Sequence, residues 1–190
     1  MRLAALFALS CCLACDSRTP MEKLRADVQT AAASGKPTEG MAAAARRLFD
    51  GYAQECVYTA DEKTLTVSCK RTSSETQMNT RQLREWTGEL TAKHTWRLFR
   101  ELEKRGLREI TVSLQLPVRK GKADQLIDLY RVHVTAEQLH ALSGWDTLDP
   151  YHTRSPSLDL SQGPELDFIN RLAAAWDVQI DNRSSVVVRP

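Results

Sequence analysis

A chain of 190 residues with 42% apolar and 26% charged residues has the composition of a globular domain, which excludes a disordered or fibrous protein. Its 26 Lys and Arg against 24 Asp and Glu leave a net charge of +2, too balanced for a nucleic-acid binder that works by bulk charge. The length suits one domain with a sizeable core rather than two.

The first residues read as a signal peptide covering 1–14. Arg2 supplies a positive start, Leu3 to Ala14 is apolar apart from Ser10, and polar sequence begins at Asp16. The apolar run is too short to span a bilayer, which takes about 20 residues. The run ends in Leu13-Ala14-Cys15, which resembles the lipobox of bacterial lipoproteins, where small residues precede a cysteine that is acylated and becomes the mature amino terminus. The resemblance covers only this segment and implies an exported protein, anchored in a membrane and facing the periplasm. Asp16 beside the acylated cysteine points to the inner membrane in some lineages. Cys11 and Cys12 are alternative acylation sites. Cys15 is preferred because cleavage before it leaves just two thiols, Cys56 and Cys69, a count that in an oxidising compartment makes one disulfide.

Residues 15–37 read as a tether with a first helix over 21–33, and 38–190 as a single α+β domain. The first helix is separated by Ser34-Gly35-Lys36-Pro37 from a second over 40–53. Being rich in alanine, both helices offer little side chain to bury, and the first is expected to act as a stalk. The stretch ECVYTADEKTLTVSCKR folds as a hairpin about Glu62 and Lys63. That register sets Cys56 opposite Cys69, Tyr58 opposite Val67 and Ala60 opposite Leu65 on one face, with Val57, Thr59 and Asp61 against Ser68, Thr66 and Thr64 on the other. The register that segregates polarity is thus the one that joins the cysteines.

A main helix is expected from Thr80 to Arg105, capped by Asn79 with Gln82 and ended by Gly106, with Leu83, Trp86, Leu90, Leu98 and Leu102 in one stripe. Gly88 is its weak point, Trp96 falls off the stripe and His94 falls on it. Strict alternation from Ile110 to Val118 marks a strand, in which Pro117 implies an edge or a bulge. Arg119-Lys120-Gly121-Lys122 reads as a turn and Gln125 to Val134 as the return strand. Thr135 with Gln138 forms a capping box for a short helix ending near Gly144. From Trp145 to Gly163 there is no periodicity. After Pro164 a helix carries Leu166, Ile169, Leu172 and Trp176 on one face, then strands follow at Val178 to Asp181 and Val186 to Val188. The fold class is therefore α+β: an antiparallel or mixed sheet built from β-hairpins, with helices largely on one face and a helical segment in front.

No phosphate-binding loop, nucleophile elbow, zinc-protease motif, dinucleotide fingerprint or calcium loop occurs. His133-x3-Glu137-x2-His140 has the chemistry of a zinc set, but Glu137 already suits a first helical turn, so neither metal nor cofactor is assigned. Asp146, Asp149 and His152 in the long loop are the candidate acid–base groups, with Tyr151 beside them. Charge is uneven: residues 70–122 hold thirteen Lys and Arg against six acidic residues, and 144–182 hold seven acidic residues against two arginines. These are either solvated faces that pair within the fold or a basic surface for an anionic partner. On the second reading Arg119, Lys120 and Lys122, with Arg84, Arg97, Arg100, Lys104 and Arg105 on the main helix, form the basic surface, and Trp145 and Tyr151 are the aromatic binding residues.

The function these features imply is a non-catalytic binding or assembly module of the cell envelope, held to the membrane by lipid and meeting an envelope protein or an anionic polymer. The alternative is a periplasmic enzyme using the 145–163 loop. Lipidation is testable directly: the mature amino terminus should be an acylated Cys15 by mass spectrometry, and Cys15→Ala should lose both acyl chains and membrane fractionation.

Overall fold

The computed structural model describes residues 18–51, 55–70, 80–120, 123–152, 163–175 and 177–179. Cys15, Lys122, Asn79, Trp176 and the strand expected at Val186–Val188 lie outside them, as do the side chains of Arg119 and Lys120.

Thr19 opens α1 (Pro20–Ala33) through a reciprocal cap, its Oγ1 accepting from Glu22 N at 3.2 Å while Glu22 Oε2 accepts from Thr19 N at 2.6 Å. Pro20 at the first helical position forfeits an N–H that a helix start leaves unpaired anyway. Helix α2 (Pro37–Phe49) returns after the break at Ser34–Lys36, where Gly35 adopts φ +61°. The two helices touch backbone to backbone: a Cβ on Gly40 would run into the carbonyl oxygen of Ala32. Small residues, which the sequence reading discounted, are thus what allow the close approach. Val28 and Ala32 are buried with Met41, Ala44, Ala45, Leu48 and Phe49 in the same core as the sheet. Helix α1 is therefore packed into the domain rather than standing off it as a stalk.

Strands β1 (Glu55–Ala60) and β2 (Thr64–Lys70) pair antiparallel with Cys56 opposite Cys69, Tyr58 opposite Val67 and Ala60 opposite Leu65, the expected register throughout. The cysteine sulfurs are bonded, with their Cα atoms 4.1 Å apart. Asp61 builds the turn: its carboxylate accepts from Thr64 Oγ1 at 2.7 Å and from the backbone N–H groups of Lys63 and Thr64 at 2.9 and 2.8 Å. Those three bonds, that from the Thr64 hydroxyl first, hold its pKa below the usual carboxylate range.

Strand β2 pairs in parallel with β3 (Glu109–Lys120), Leu65 beside Ile110 and Cys69 beside Leu114. Parallel strands need a crossover, and α3 (Thr80–Leu102) supplies it, continuing without interruption through Gly88. A 3₁₀ turn (Glu103–Arg105) and Gly106 at φ +107° end it. Strand β4 (Ala123–Thr135) returns antiparallel, with a bulge where Leu114 faces Tyr130 and Gln115 faces Asp128, and β5 (Asp177–Gln179) pairs outside it at Arg131–His133. The sheet is mixed, in the order β1-β2-β3-β4-β5. Arg119 and Lys120 belong to β3, opposite Asp124 and Ala123, and not to the turn, because the ladder extends to the last residues that can pair. Pro117 sits beyond Gln115, where β2 no longer pairs, so its missing N–H costs the described ladder nothing on that side.

Leu65, Val67, Cys69, Ile110, Val112, Leu114, Val132 and Val134 form the buried side of the sheet beneath the helices. The other side carries Thr59, Thr66, Glu109, Arg131 and the half-exposed Val57, with Ser113 hydrogen-bonded to Ser68 at 3.2 Å. The helices lie on one face, and the fold is α+β with a helical segment in front. The close approach of Gly40 to the Ala32 carbonyl decides how α1 is held: Gly40→Ala should lower the unfolding free energy by about 1–3 kcal/mol in a urea titration, because the added methyl group forces the α1–α2 backbones apart. A free stalk would leave it unchanged.

Candidate functional site

The carboxyl half of α3 is buried on nearly every side. Ala92, Trp96 and Phe99 face one way and Leu98 and Leu102 another, while Thr91, His94, Thr95 and Arg97 are also below a tenth exposed. Trp96, which falls off a one-sided stripe, is fully buried against Phe168 of α5 (Pro164–Ala174), ring centroids 4.3 Å apart. A stripe argument assumes a helix packed on one side. Here the sheet and the α4–α5 region both pack on α3, so its polar side chains must find partners inside the protein.

Trp96, Arg97 and Arg100 find theirs in the stretch after α4 (Ala136–His140), which the Thr135–Gln138 capping box opens as expected, with bonds of 3.2 and 2.8 Å. The chain turns at Gly144 (φ +97°), where a Cβ would press on Leu148. Trp96 Nε1 donates to the carbonyl of Trp145 at 3.0 Å, Arg100 Nη1 to those of Trp145 and Asp146 at 3.3 and 2.6 Å, and Arg97 Nε to that of Pro150 at 3.0 Å. Three side chains within one and a half turns of helix thus make four hydrogen bonds to three carbonyls, those of Trp145, Asp146 and Pro150, in a stretch (141–152) that has no strand or helix of its own.

Aromatic and ionic contacts complete the clamp. The Tyr151 ring lies between the guanidinium groups of Arg25 and Arg97, each 5.0 Å from its centroid. Arg25 also pairs with Asp149 at 3.3 Å and Glu101 at 3.7 Å. Trp145 stacks on His140 at 4.2 Å with Arg100 over it at 5.7 Å. Burial first, then Glu101, raises the Tyr151 phenol above its ordinary pKa, so it stays protonated.

This arrangement reassigns the residues singled out in the sequence. Tyr151 is 4% exposed and is a core anchor, not a binding aromatic, because the two arginines close over it. Arg97 is buried, its Nε spent on the Pro150 carbonyl, and does not contribute a basic surface, whereas Arg100 is half-buried and held to the loop. Asp149 is committed to Arg25 and accepts from Tyr151 N at 3.0 Å. Asp146 and His152 are exposed, and His152 meets Asp149 through its backbone N–H, at 3.0 Å, rather than through its imidazole. His133 and His140 pair with different carboxylates, Glu109 at 3.2 Å and Glu103 at 3.0 Å, and no group of three metal-ligating side chains converges among the described residues. The residues that matter most, Arg25, Trp96, Arg97 and Glu101, carry no motif. Their only sequence signal is the close spacing of Trp96, Arg97, Arg100 and Glu101 on a helix otherwise amphipathic.

Beside the clamp lies a shallow cleft of about 630 Å³ between the Ser143–Leu148 turn and the start of α5, with Thr147, Asp167, Asn170 and Arg171 on its walls. Arg171 is itself fixed, donating to the carbonyl of Ser143 at 3.0 Å. Comparison with protein-family models, curated proteins and solved structures finds no match.

The buried His94, edge-on to Phe49 at 5.1 Å, makes the core sensitive to pH. Burial, then the nearby Arg97 and Lys93, holds its pKa well below 6.5. The unfolded chain takes up a proton below about 6.5 while the folded ring stays neutral, so this contribution is present above that pH and is lost as pH falls, at up to about 1.4 kcal/mol per unit. Urea titrations between pH 7 and pH 5 should show that loss, and His94→Phe should flatten the slope.

Proposed function

We propose that this protein is a lipid-anchored module of the bacterial envelope that binds and positions a partner without catalysing a reaction. The observation that carries this reading is the use to which the 145–152 loop is put. Its carbonyls are held by Trp96, Arg97 and Arg100, and its Asp149 by Arg25, so the polar groups nearest to an acid–base set are spent on holding shape. A proton-transfer pair needs a donor and an acceptor aimed at one point. What the loop offers instead is a rigid contour on a compact scaffold, a property useful for recognition.

The lipobox-like Leu13-Ala14-Cys15 supports the anchor, and two thiols bonded as one disulfide suit an oxidising compartment. The partner is an envelope protein or an anionic polymer rather than a nucleic acid, which the modest net charge does not favour.

The two readings separate in one experiment. Asp146→Asn with His152→Ala removes exposed acid–base side chains while keeping the backbone carbonyl of Asp146 that the clamp uses, and should leave unchanged both folding and the envelope components captured with the lipidated protein from membranes. Cys15→Ala should abolish that capture. A folded double variant that loses the biological activity of the wild type in a complemented deletion strain would favour the enzyme.

A further inference from the structure

Polar side chains around the clamp are mostly committed to partners within the protein. Arg25, Arg97, Arg100, Asp149 and His140 are each engaged, and Trp96 donates to a carbonyl. Thr147, Asp167 and Asn170 are exceptions. Their side chains are exposed, form no hydrogen bond or ion pair with any described residue, and all line the cleft between the Ser143–Leu148 turn and α5. Helical spacing brings them together: Asp167, Asn170 and Arg171 stand at i, i+3 and i+4 and share one side of α5, while Phe168, Ile169 and Leu172 turn to the core. Across the cleft the turn presents Thr147 and the apolar Leu148, and Pro164 adds a second apolar surface.

Both walls are fixed by the protein itself. Arg171 Nη2 ties α5 to the turn by donating to the carbonyl of Ser143 at 3.0 Å, and Leu148 N donates to the carbonyl of Gly144 at 3.0 Å within the turn. Trp96 and Arg100 hold the carbonyls that follow. At about 630 Å³ the cleft falls within the range of about 300–1,000 Å³ typical of small-ligand sites, and its shape is set in advance.

The chemistry of the lining selects among ligands. Asp167 and Arg171 lie one helical turn apart with opposite charges, so neither an anion nor a cation is favoured by the site as a whole. A peptide is recognised through a free sheet edge or apolar pockets. The turn supplies neither, since the carbonyls of Leu142, Ser143, Gly144 and Trp145 already accept hydrogen bonds. What remains is a carboxylate that accepts, an amide and a hydroxyl that each donate and accept, and the remaining N–H groups of Arg171. Donors and acceptors interspersed in this way, beside the small apolar surfaces of Leu148 and Pro164, match a molecule with hydroxyl groups set around a ring with apolar faces, which is a sugar.

We propose that this cleft binds a neutral sugar chain, with Asp167 and Asn170 meeting adjacent hydroxyl groups and Thr147 meeting the same unit from the facing wall. The site goes beyond the anchored-module reading and stands without it, because none of its residues belongs to the lipid-bearing segment. The test titrates the full-length protein by calorimetry with three neutral oligosaccharides, chitotetraose, cellotetraose and maltotetraose, and with tetragalacturonic acid as an anionic counterpart. At least one neutral probe should half-saturate the protein at or below about 1 mM. Thr147→Ala with Asn170→Ala should weaken that binding about tenfold, and Asp167→Asn at least about threefold, with urea midpoints unchanged because these side chains are exposed and hold nothing in the fold. Asp27→Asn, exposed on α1, should bind as the wild type does. Failure of all three neutral probes at about 10 mM would overturn the inference. Tighter binding of tetragalacturonic acid would overturn it in favour of an anion site at Arg171. Neutral binding that the folded cleft variants leave unchanged would overturn it by placing the sugar elsewhere.

Discussion

Parallel pairing of β2 with β3 is the constraint from which most of this structure follows. A parallel pair obliges the chain to cross back over the sheet, and α3 is that crossing. A crossover helix packs on the sheet with one side. In this protein the other sides are covered as well, by the α1–α2 hairpin and by the α4–α5 region, so that Thr95, Trp96, Leu98 and Phe99 in succession are all fully buried. The helix becomes the axis around which everything else is placed.

An all-round burial carries an energetic obligation. Indole and guanidinium groups taken from water must be given acceptors, since a buried unsatisfied donor costs about 1–3 kcal/mol and more when charged. The loop between α4 and α5 answers this need with its backbone carbonyls, which a strand or helix would have used internally. The exchange serves both parties: Trp96, Arg97 and Arg100 gain acceptors, and a segment without secondary structure gains fixed geometry. Arg25 extends the arrangement to α1 through Tyr151, Asp149 and Glu101, which ties the amino-terminal helix to the far side of the core. With α1 fixed in this way, the amino-terminal helix is part of the core and not an appendage to it.

The sheet is asymmetric for a related reason. Its helix-facing side is a continuous row of Leu, Val and Ile positions closed at β1 by the Cys56–Cys69 bridge. The opposite side carries mostly threonines, serines and charges, with Val57 exposed and Ser113 buried among them. Alternation at period two can serve only one buried face, and every strand with described side chains places its apolar set there.

Where the determinants were local, the sequence alone determined the structure. Polarity alternation set the hairpin register and with it the cysteine pair. Thr135 with Gln138 set a helix start, and Pro164 another. The α+β class followed from the succession of such elements. Tertiary structure decided everything that depended on which element lies against which. Alternation cannot tell whether β2 finds a parallel neighbour, so the burial of Trp96 and the commitment of Arg97 and Arg100 to the loop were illegible, and Arg97 proved to be internal. Alanines and Gly40 looked too small to matter because their contribution is the distance between two backbones, which no single helix contains. Tyr151 and Asp149 looked like chemistry because residue type is visible in a sequence, whereas the partner that commits it, an arginine more than a hundred residues away, is brought beside it only by the fold.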